Sequence, residues 1–399
     1  MKIKKANSCL MALLKVVFRP VLRSKYKFKF ERKTSKGIKR PCFILANHQT
    51  AFDQFAVGVG FRFGINFVGS DSLFRHGFGS KMMKLLARPI PISKGSSDPT
   101  AVKNIMSVIR DGGAVSMFPS GNRSFFGEES TINPAVAKLA KKLRVPLVLV
   151  KMRGGFFAKA RWMAEPSKGK VRSSVVRVLQ PEELAALSDA EVFEIIQKTL
   201  YFDEFEWNRK EQIVFKGNRK AEHLETVLFW CPQCNSFHDL KSQGNEFFCG
   251  RCGMRVRING MYFFEKVNNA DAVPETILDW GRAQLDYIKN FDYSAFTDKP
   301  VFSDENVSLF KVERAKDQEL LAKGQIALYA DRLSVCGTDF PLDKIREMAV
   351  QGVLRLGIYT DDCTYCVDIP QRGNLFKYMI CGYKLINAAT NSQEEYYGY

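Results

Sequence analysis

The chain has 399 residues, of which 46% are hydrophobic and 26% are charged. This length exceeds one ordinary domain of about 100–200 residues, so two or three domains are expected, and the composition excludes both a disordered chain and one fully embedded in a membrane. The formal net charge of +18 favours a polyanionic partner, which means nucleic acid or an anionic membrane surface.

The positive charge is concentrated in residues 1–40, which contain fourteen Lys or Arg and a single acidic residue, Glu31. The apolar run at 9–18 is interrupted by Lys15 and has about half of the ~20 residues that a membrane-spanning helix needs. A signal peptide is disfavoured because no small-residue cleavage site follows. Apolar residues recur at helical spacing between basic ones, which indicates a helix that lies in a membrane interface or covers the protein core. We predict that residues 1–38 are a basic amphipathic segment that docks on a membrane.

Between residues 39 and 205, short apolar segments alternate with capped helices, the pattern of an α/β layer fold with a mixed sheet and flanking helices. The predicted strands are 42–46, 66–69, 88–92, 114–118, 147–152 and 174–179. Asp98–Pro99 opens a predicted helix, because aspartate is a good N-cap and proline suits the first helical position. Asn133–Pro134 opens another in the same way.

The segment Asn47-His48-Gln49-Thr50-Ala51-Phe52-Asp53 directly follows the first of these strands. Folds of the α/β class place reactive groups beyond the carboxyl ends of their strands. His48 and Asp53 are therefore candidate catalytic residues. Thr50 and Asp53 also have the spacing of a capping box, which would make them the start of the next helix and His48 an ordinary loop residue.

A second polar loop, Phe118-Pro119-Ser120-Gly121-Asn122-Arg123-Ser124, follows the strand at 114–118. Together, NHxxxxD and FPxGxRS resemble the first and third sequence blocks of the glycerophospholipid acyltransferase family, which includes the lysophosphatidic acid acyltransferases. The segment PIPISK at 89–94 is similar to the second block, and VPLVLV at 145–150 to the fourth. The resemblance covers about residues 20–200 and implies an acyltransferase domain at 39–205.

The resemblance implies direct attack of an acceptor hydroxyl on an acyl thioester, so Ser120 and Ser124 are not assigned as acyl carriers. A neutral hydroxyl attacks poorly at pH 7 and needs a base. His48 is the candidate base, with Asp53 orienting its ring and stabilising the imidazolium. The implied partners are acyl-CoA or acyl-carrier-protein as donor and a lysophosphatidic-acid-like acceptor. No catalytic cofactor is implied.

Lys94, Gly121 and Arg123 are assigned to the phosphate of the acceptor, because a glycine turn that delivers an arginine beside backbone N–H groups can cradle an anion. Alternatively, Lys94 and Arg123 are solvated surface residues. The chain departs from the usual FPEGTRS at Ser120 and Asn122, and has Lys94 where the second block usually ends in arginine. These departures bear on the choice of acceptor, since lysine offers a point charge where arginine offers a planar fork.

Two CxxC pairs, Cys231–Cys234 and Cys249–Cys252, are separated by fourteen residues. Four thiolates at this spacing are typical of a closed, structural zinc site. Redox or iron–sulfur chemistry is the alternative. We predict a zinc ribbon at 229–260.

Charged residues at 206–228 are predicted to form a linker, and 261–295 a helical connector with a helix at 274–290. From 296 to 390, short strands separated by turns and followed by a helix at 375–389 predict a small β-barrel-like domain that resembles the pleckstrin-homology or GRAM type. Cys363 and Cys366 are expected in a strand, with side chains on opposite faces, as core residues. Residues 391–399 are predicted to be a tail.

The function favoured by these patterns is acylation of the sn-2 hydroxyl of 1-acyl-sn-glycerol 3-phosphate to phosphatidate, in phospholipid synthesis, by a protein peripheral on the inner, cytoplasmic face of a membrane. The alternatives are acylation of glycerol 3-phosphate or another lysophospholipid, a catalytically silent lipid-binding homologue, and a zinc-ribbon protein that binds nucleic acid. Nucleic acid is disfavoured because the basic excess lies at the N-terminus rather than in the ribbon, and no RNA-binding signature is present.

Overall fold

The computed structural model of this protein describes residues 3–70, 88–92, 98–312, 318–370 and 373–392. The chain divides into two compact units. The first comprises the residues up to Ala160 and Glu165–Gly217, and the second comprises Arg161–Ala164 and the residues from Asn218 onward. The predicted α/β class with a mixed sheet is confirmed, and further β-rich regions follow it.

Within the described residues, the first unit is built on a seven-stranded sheet. Its strands are β1 (Lys29–Phe30), β2 (Cys42–Ala46), β3 (Asn66–Ser70), β4 (Ile90–Ile92), β5 (Ala114–Met117), β6 (Leu147–Arg153) and β7 (Arg172–Leu179). Their order is β1-β7-β6-β2-β5-β3-β4. The central β2 pairs parallel with β5 and β6, whereas β6 and β7 pair antiparallel. Every residue of β2 is buried, which is why its sequence, CFILA, is apolar on both faces.

Helices flank this sheet. They are α1 (Ser8–Tyr26), α2 (Asp53–Gly58), α3 (Pro99–Arg110), α4 (Ala135–Leu143), α5 (Gly155–Lys159), α6 (Pro181–Ala186), α7 (Asp189–Leu200) and α8 (Glu204–Glu211). Asp98 caps α3 by accepting a hydrogen bond from Ala101 N, as its sequence predicted. Apolar residues of α3, α4 and α7, among them Ile105, Ala137 and Val192, join those of the central strands in one core.

The N-terminal helix α1 has two apolar sides. One side buries Leu22 and Tyr26, and the Tyr26 ring stacks on Phe52 with 4.0 Å between ring centroids. The other side leaves four aliphatic side chains exposed: Leu13, Val16, Val17 and Val21. One side of α1 therefore covers the core, as one interpretation of the sequence had it, while the other presents an aliphatic face. No helix within the described residues is both long and apolar enough to span a membrane.

The second unit begins with a small antiparallel sheet. Its strands are β8 (Leu240–Gln243), β9 (Glu246–Cys249), β10 (Arg255–Ile258) and β11 (Phe264–Asn268), in the order β11-β10-β9-β8. The helix α9 (Ile277–Asn290) follows. Its buried Trp280 contacts Phe247, with 5.3 Å between ring centroids, so the helix and the sheet share apolar contacts.

This unit also contains a second antiparallel sheet. Its strands are β12 (Phe302–Val312), β13 (Glu319–Leu328), β14 (Arg332–Val335), β15 (Thr338–Pro341), β16 (Ile345–Gln351), β17 (Arg355–Thr360) and β18 (Thr364–Asp368). They form two meanders, β12 to β15 and β16 to β18, joined where β12 pairs with β18. The buried helix α10 (Leu375–Thr390) closes the unit. Cys366 is buried in β18, whereas Cys363 lies in the turn before the strand rather than within it.

Candidate active site

The two polar segments singled out in the sequence meet at one edge of the first sheet. β2 and β5 run parallel in a register that pairs Leu45 with Met117, so the residues that follow both strands emerge side by side. The imidazole of His48 stacks on the Phe118 ring, with 4.2 Å between centroids. Ser124 N donates a hydrogen bond of 2.9 Å to His48 O. The loop at 118–124 therefore packs directly on the histidine.

His48 and Asp53 form a hydrogen-bonded pair. The imidazole Nδ1 lies 2.7 Å from Asp53 Oδ2. The Asp53 side chain is fully buried, while that of His48 is 17% exposed. A carboxylate that accepts from Nδ1–H fixes the tautomer and makes Nε2 the basic ring nitrogen. A substrate hydroxyl that reached Nε2 would meet an unprotonated ring nitrogen, which can accept its proton.

Backbone and hydroxyl donors hold the Asp53 carboxylate in place. It accepts hydrogen bonds from Gln49 N at 2.6 Å, from Thr50 N at 3.0 Å and from the Thr50 hydroxyl. These donors offset the cost of burying a charged group. The contact from Thr50 N is the one that a capping box would make, and α2 begins at Asp53. The capping box is nevertheless incomplete, because Phe52 is the N-cap of α2 and no side chain caps the helix. The carboxylate therefore orders the backbone at Gln49 and Thr50 and orients His48.

Two further polar residues of this segment, Asn47 and Gln49, fix the backbone around His48, a role that sequence analysis did not predict. Asn47 exchanges two hydrogen bonds with the backbone of Met152, at 2.9 Å and 2.7 Å. This exchange ties the end of β2 to the end of β6. Gln49 Oε1 accepts from Gly155 N at 3.1 Å. A Cβ atom at Gly155 would lie 2.5 Å from that oxygen, so a larger residue there would displace the Gln49 amide.

The predicted phosphate-binding residues are described in part. Gly121 has φ +72°, a conformation that glycine adopts readily, and its N–H donates to Phe118 O at 3.0 Å to close the turn. Burial lowers the pKa of Arg123, and the negative charge of Asp53 opposes that lowering. The guanidinium is therefore partly desolvated and within electrostatic reach of the His48–Asp53 pair. Lys94 lies outside the described residues.

A buried carboxyl group that the sequence did not reveal, that of Glu129, lies against the same loop. Its Oε2 accepts from His48 N at 3.1 Å, and its Oε1 is buried with no hydrogen-bond partner among the described residues. Burial raises the pKa of Glu129 to about 8, although hydrogen bonds from the Ser120 side chain and from His48 N lower it. The carboxyl group is therefore mostly neutral at pH 7. An acidic residue in the polar sequence GEES gives no signal that separates it from a surface residue.

A second buried carboxyl group supports the opposite side of the site. Glu204, the first residue of α8, accepts from Gly154 N at 2.7 Å. Burial raises the pKa of Glu204 to about 8, while hydrogen bonds from Gly154 N and the Gln49 side chain lower it. Through Gln49, this carboxyl group is linked to the segment that carries His48.

The four cysteines of the predicted ribbon lie together in the second unit. Their sulfur atoms are all within 4.8 Å of one another, with Cys231 Sγ 3.8 Å from Cys252 Sγ and Cys234 Sγ 3.7 Å from Cys249 Sγ. Four sulfurs at 2.3 Å from one tetrahedral ion would be about 3.8 Å apart. The group could therefore hold a metal ion, and its geometry is compatible with zinc.

Both CxxC turns have the same backbone geometry. Asn235 N donates to Cys231 O and Gly253 N to Cys249 O, each spanning four residues. The N–H of the first cysteine of each pair donates five residues ahead, to Ser236 O and Met254 O. The residue after each second cysteine has a positive φ, +57° at Asn235 and +73° at Gly253. Two matching turns that face each other present two sulfurs each to one centre.

Comparisons with known proteins give three similarities. A family model described as Acyltransferase matches residues 25–153, which include both polar segments. A 1-acyl-sn-glycerol-3-phosphate acyltransferase of Bacillus subtilis (strain 168) is 25% identical over 152 residues, covering 37% of this chain and 72% of that protein. The crystal structure of the 1-acyl-sn-glycerophosphate acyltransferase from Thermotoga maritima matches 48% of this chain and 76% of that one, with a TM-score of 0.41 and 17% identity.

Proposed function

Because this chain carries an acyltransferase domain of the glycerophospholipid acyltransferase family and is an O-acyltransferase, we propose that it acylates the sn-2 hydroxyl of 1-acyl-sn-glycerol 3-phosphate. The donor is a fatty acyl thioester of coenzyme A or acyl-carrier-protein, and the product is phosphatidate. The observation that carries the proposal is the hydrogen bond between His48 Nδ1 and the buried Asp53, which prepares a base beside the loop that contains Arg123.

The reaction follows from that geometry. His48 Nε2 takes the proton of the acceptor hydroxyl while the hydroxyl oxygen attacks the thioester carbonyl carbon. The tetrahedral intermediate then collapses, the carbon–sulfur bond breaks, and the imidazolium returns the proton to the departing thiolate. Asp53 stabilises the imidazolium between these two steps. No covalent acyl-enzyme is required, so the reaction needs no serine nucleophile.

Arg123 is proposed to bind the phosphate of the acceptor together with Lys94, and Gly121 contributes the turn that presents Arg123, since its own N–H already donates to Phe118 O. Partial burial strengthens the attraction of the Arg123 guanidinium for an anion, because water screens the charge less. The substitutions at Ser120 and Asn122 alter this loop relative to the family pattern. Acylation of glycerol 3-phosphate or of another lysophospholipid is therefore the alternative that the assay must include.

Thioester consumption by the purified full-length protein tests the proposal. Wild type should turn over lysophosphatidic acid with long-chain acyl-CoA or acyl-carrier-protein, and His48→Ala should lose about 10²–10⁴ in kcat. Glycerol 3-phosphate and lysophosphatidylcholine serve as acceptors in parallel. If the protein acylates one of these and not lysophosphatidic acid, that compound becomes the assigned acceptor. Equal turnover by His48→Ala would reject the histidine as base, and a wild type inactive with every acceptor would favour a silent lipid-binding homologue.

We also propose that the protein docks peripherally on a membrane through the aliphatic face of α1. Leu13, Val16 and Val17 are each more than half exposed, and burying such side chains in lipid is worth about 1.5–3 kcal/mol each. In vesicle flotation, Leu13→Ser/Val17→Ser should bind at least tenfold more weakly than wild type. Val214→Ser, which removes an equally exposed valine elsewhere, should bind as wild type does. Equal binding by all three proteins would contradict the docking.

A further inference from the structure

A basic cleft of about 580 Å³ lies in the first unit beside α1, and no residue assigned to catalysis lines it. Every charged residue that lines it is basic: Arg19, Arg23, Lys27, Lys29, Arg32 and Arg172. Its apolar wall is formed by the buried side chains of Phe28, Phe30 and Val59. None of the residues assigned to the base or to the phosphate of the acceptor lines this cleft.

Within the described part of the chain, no acidic side chain neutralises these charges. Among the described residues, none of the six takes part in an ion pair; Arg19 donates to Val59 O at 3.3 Å and Arg172 to Lys27 O at 3.1 Å. Burial, together with the positive charge of Arg32, lowers the pKa of Arg19. Like charges held together without counter-charges repel one another, and an anion bound among them would relieve that repulsion.

The position of the cleft on α1 indicates the source of the anion. With about 100° of rotation per residue, Arg19 and Arg23 lie on a flank of the helix, between the buried side and the aliphatic face. When that face enters the acyl region of a bilayer, the flank is at the depth of the lipid phosphates. We propose that the cleft binds the phosphate of an anionic phospholipid head group, a site distinct from the acceptor site; this rests on the proposed membrane docking.

Vesicle binding by the full-length protein tests the cleft. Wild type should bind vesicles of phosphatidylcholine and phosphatidylglycerol more tightly than vesicles of phosphatidylcholine alone. Arg23→Gln/Lys29→Gln should lose about 30-fold in binding to the anionic vesicles, since each charge contributes about 1 kcal/mol. The matched control, Lys33→Gln/Lys36→Gln, removes two exposed charges from the adjacent turn that do not line the cleft and should lose clearly less.

The outcomes separate the cleft from the docking. If wild type binds neither vesicle, the docking fails. If it binds both equally, or if the two double variants lose equally, the docking stands and the cleft proposal is rejected. Inorganic phosphate and coenzyme A, each compared with sodium chloride at equal ionic strength, are the soluble competitors. Specific displacement by either one would assign the cleft to a soluble phosphate and reject the lipid.

A second inference concerns Glu129 and rests on different contacts. The loop at 118–129 binds both backbone polar groups of His48. Ser124 N donates to His48 O, and Glu129 Oε2 accepts from His48 N. Ser120, which stands where the family pattern FPEGTRS has glutamate, donates its hydroxyl to Asn122 O at 3.2 Å and is close enough to Glu129 to lower the pKa of that carboxyl group. The chain therefore lacks the carboxyl group of the family pattern at Ser120 but has another one nearby, at Glu129. We propose that Glu129 is a positioning residue that orients His48 through the His48 backbone N–H.

Exchange of the carboxyl group between the two positions tests this inference, which rests on the proposed reaction. Glu129→Ala should lower kcat by about 10- to 100-fold with little change in KM for either substrate. Glu129→Gln should stay near wild type, because its amide oxygen still accepts from His48 N. Ser120→Glu/Glu129→Ala should recover most of the lost kcat. Wild-type kcat in Glu129→Ala, or no recovery in the double variant, would overturn the inference.

A readout independent of turnover keeps this result separate from failure of the proposed reaction. The chain has four histidines, so the ¹⁵N resonances of the His48 ring can be assigned by substitution. Wild type should show the Nδ1–H tautomer of His48. Glu129→Ala should show a mixture of tautomers, and the double variant should restore the single one. An unchanged His48 spectrum in Glu129→Ala would overturn the inference even if no substrate were turned over.

Discussion

At the scale of single residues, the most informative contact is the one between His48 and Asp53. The carboxylate is buried and accepts from the imidazole and from the backbone of Gln49 and Thr50. It therefore acts both as a structural acceptor and as the group that sets the histidine tautomer. Asp53 can therefore have the spacing from Thr50 that is typical of a helix start and still pair with His48.

Asp53→Asn should separate these two uses. The amide keeps the size of the side chain but removes the charge, and it permits the wrong tautomer of His48. We expect a loss of about 10³–10⁴ in kcat with a smaller relative change in KM. The measurement is steady-state thioester consumption, with circular dichroism as a check of folding. A variant within threefold of wild type would show that Asp53 serves only as an acceptor for the backbone of Gln49 and Thr50.

Glu204 should make the stability of the first unit depend on pH. Its pKa is raised to about 8 in the folded protein from an ordinary value of 4.5. Between these values the folded state binds more protons than the unfolded state, so the free energy of unfolding falls as pH rises. Glu204→Gln should reduce that slope by up to about 1.4 kcal/mol per pH unit.

Urea denaturation between pH 5 and pH 7.5 measures this slope. The control is Glu182→Gln, which changes an exposed glutamate of α6 and should keep the slope of wild type. If Glu204→Gln also kept the wild-type slope, the carboxyl group would be ionised in the folded protein, contrary to the effect of its burial.

At the scale of elements, the two CxxC turns are the clearest case in which local sequence dictates local structure. Each turn reproduces the same pair of backbone hydrogen bonds and a left-handed residue after the second cysteine. We propose that they hold a structural zinc ion, because four thiolates in tetrahedral array suit zinc and leave no open coordination position. The ion would stabilise the small sheet β8 to β11 rather than take part in acyl transfer.

Zinc removal should therefore destabilise the second unit. Purified protein should contain one zinc per chain, and Cys252→Ser should lose the metal and lower the melting temperature by about 5 °C or more. Cys336 lies outside the cluster, so Cys336→Ser should keep the zinc and the melting temperature of wild type. Metal analysis and differential scanning calorimetry provide the measurements. Full stability in Cys252→Ser, or iron in place of zinc, would contradict the assignment.

At the scale of the whole molecule, the division into two units does not follow the chain order alone. Arg161–Ala164 belongs to the second unit although the residues on both sides belong to the first. Trp162 is fully buried and its indole N–H donates to Lys220 O at 2.9 Å. The Tyr262 hydroxyl contacts Met163 Sδ at 3.5 Å. The segment predicted as one continuous acyltransferase domain at 39–205 thus contributes four residues to the second unit.

Trp162→Ala should reveal this contribution. Loss of a fully buried tryptophan costs about 3–5 kcal/mol. Hydrogen exchange should accelerate at the amides of β10 and β11 and remain slow at those of β2 and β5. The outcome that would contradict the assignment is faster exchange in the strands of the first unit with no change in those of the second. Trp162→Phe, which retains most of the volume, should have a smaller effect.

Much of the fold was predicted from local pattern because the pattern has a local cause. The strand at Cys42–Ala46 was predicted with the bounds that it has, since a short apolar run between polar loops fits a central parallel strand. Asp98–Pro99 and Leu375 mark helix starts close to those predicted. The two-residue strand β1 was missed, because its pairing with β7 joins residues far apart in sequence and leaves no local signal.

The same distinction holds for the site. The residue types and their spacing could be read from the chain alone: a histidine and an aspartate after one strand, a glycine–arginine loop after another, and two cysteine pairs. Tertiary structure alone decided that Glu129 and Glu204 are buried beside them and that six cations converge beside α1. The physical reason is that burial and electrostatic environment depend on which distant segments pack together, whereas backbone turns and strand periodicity depend mainly on neighbours in the chain.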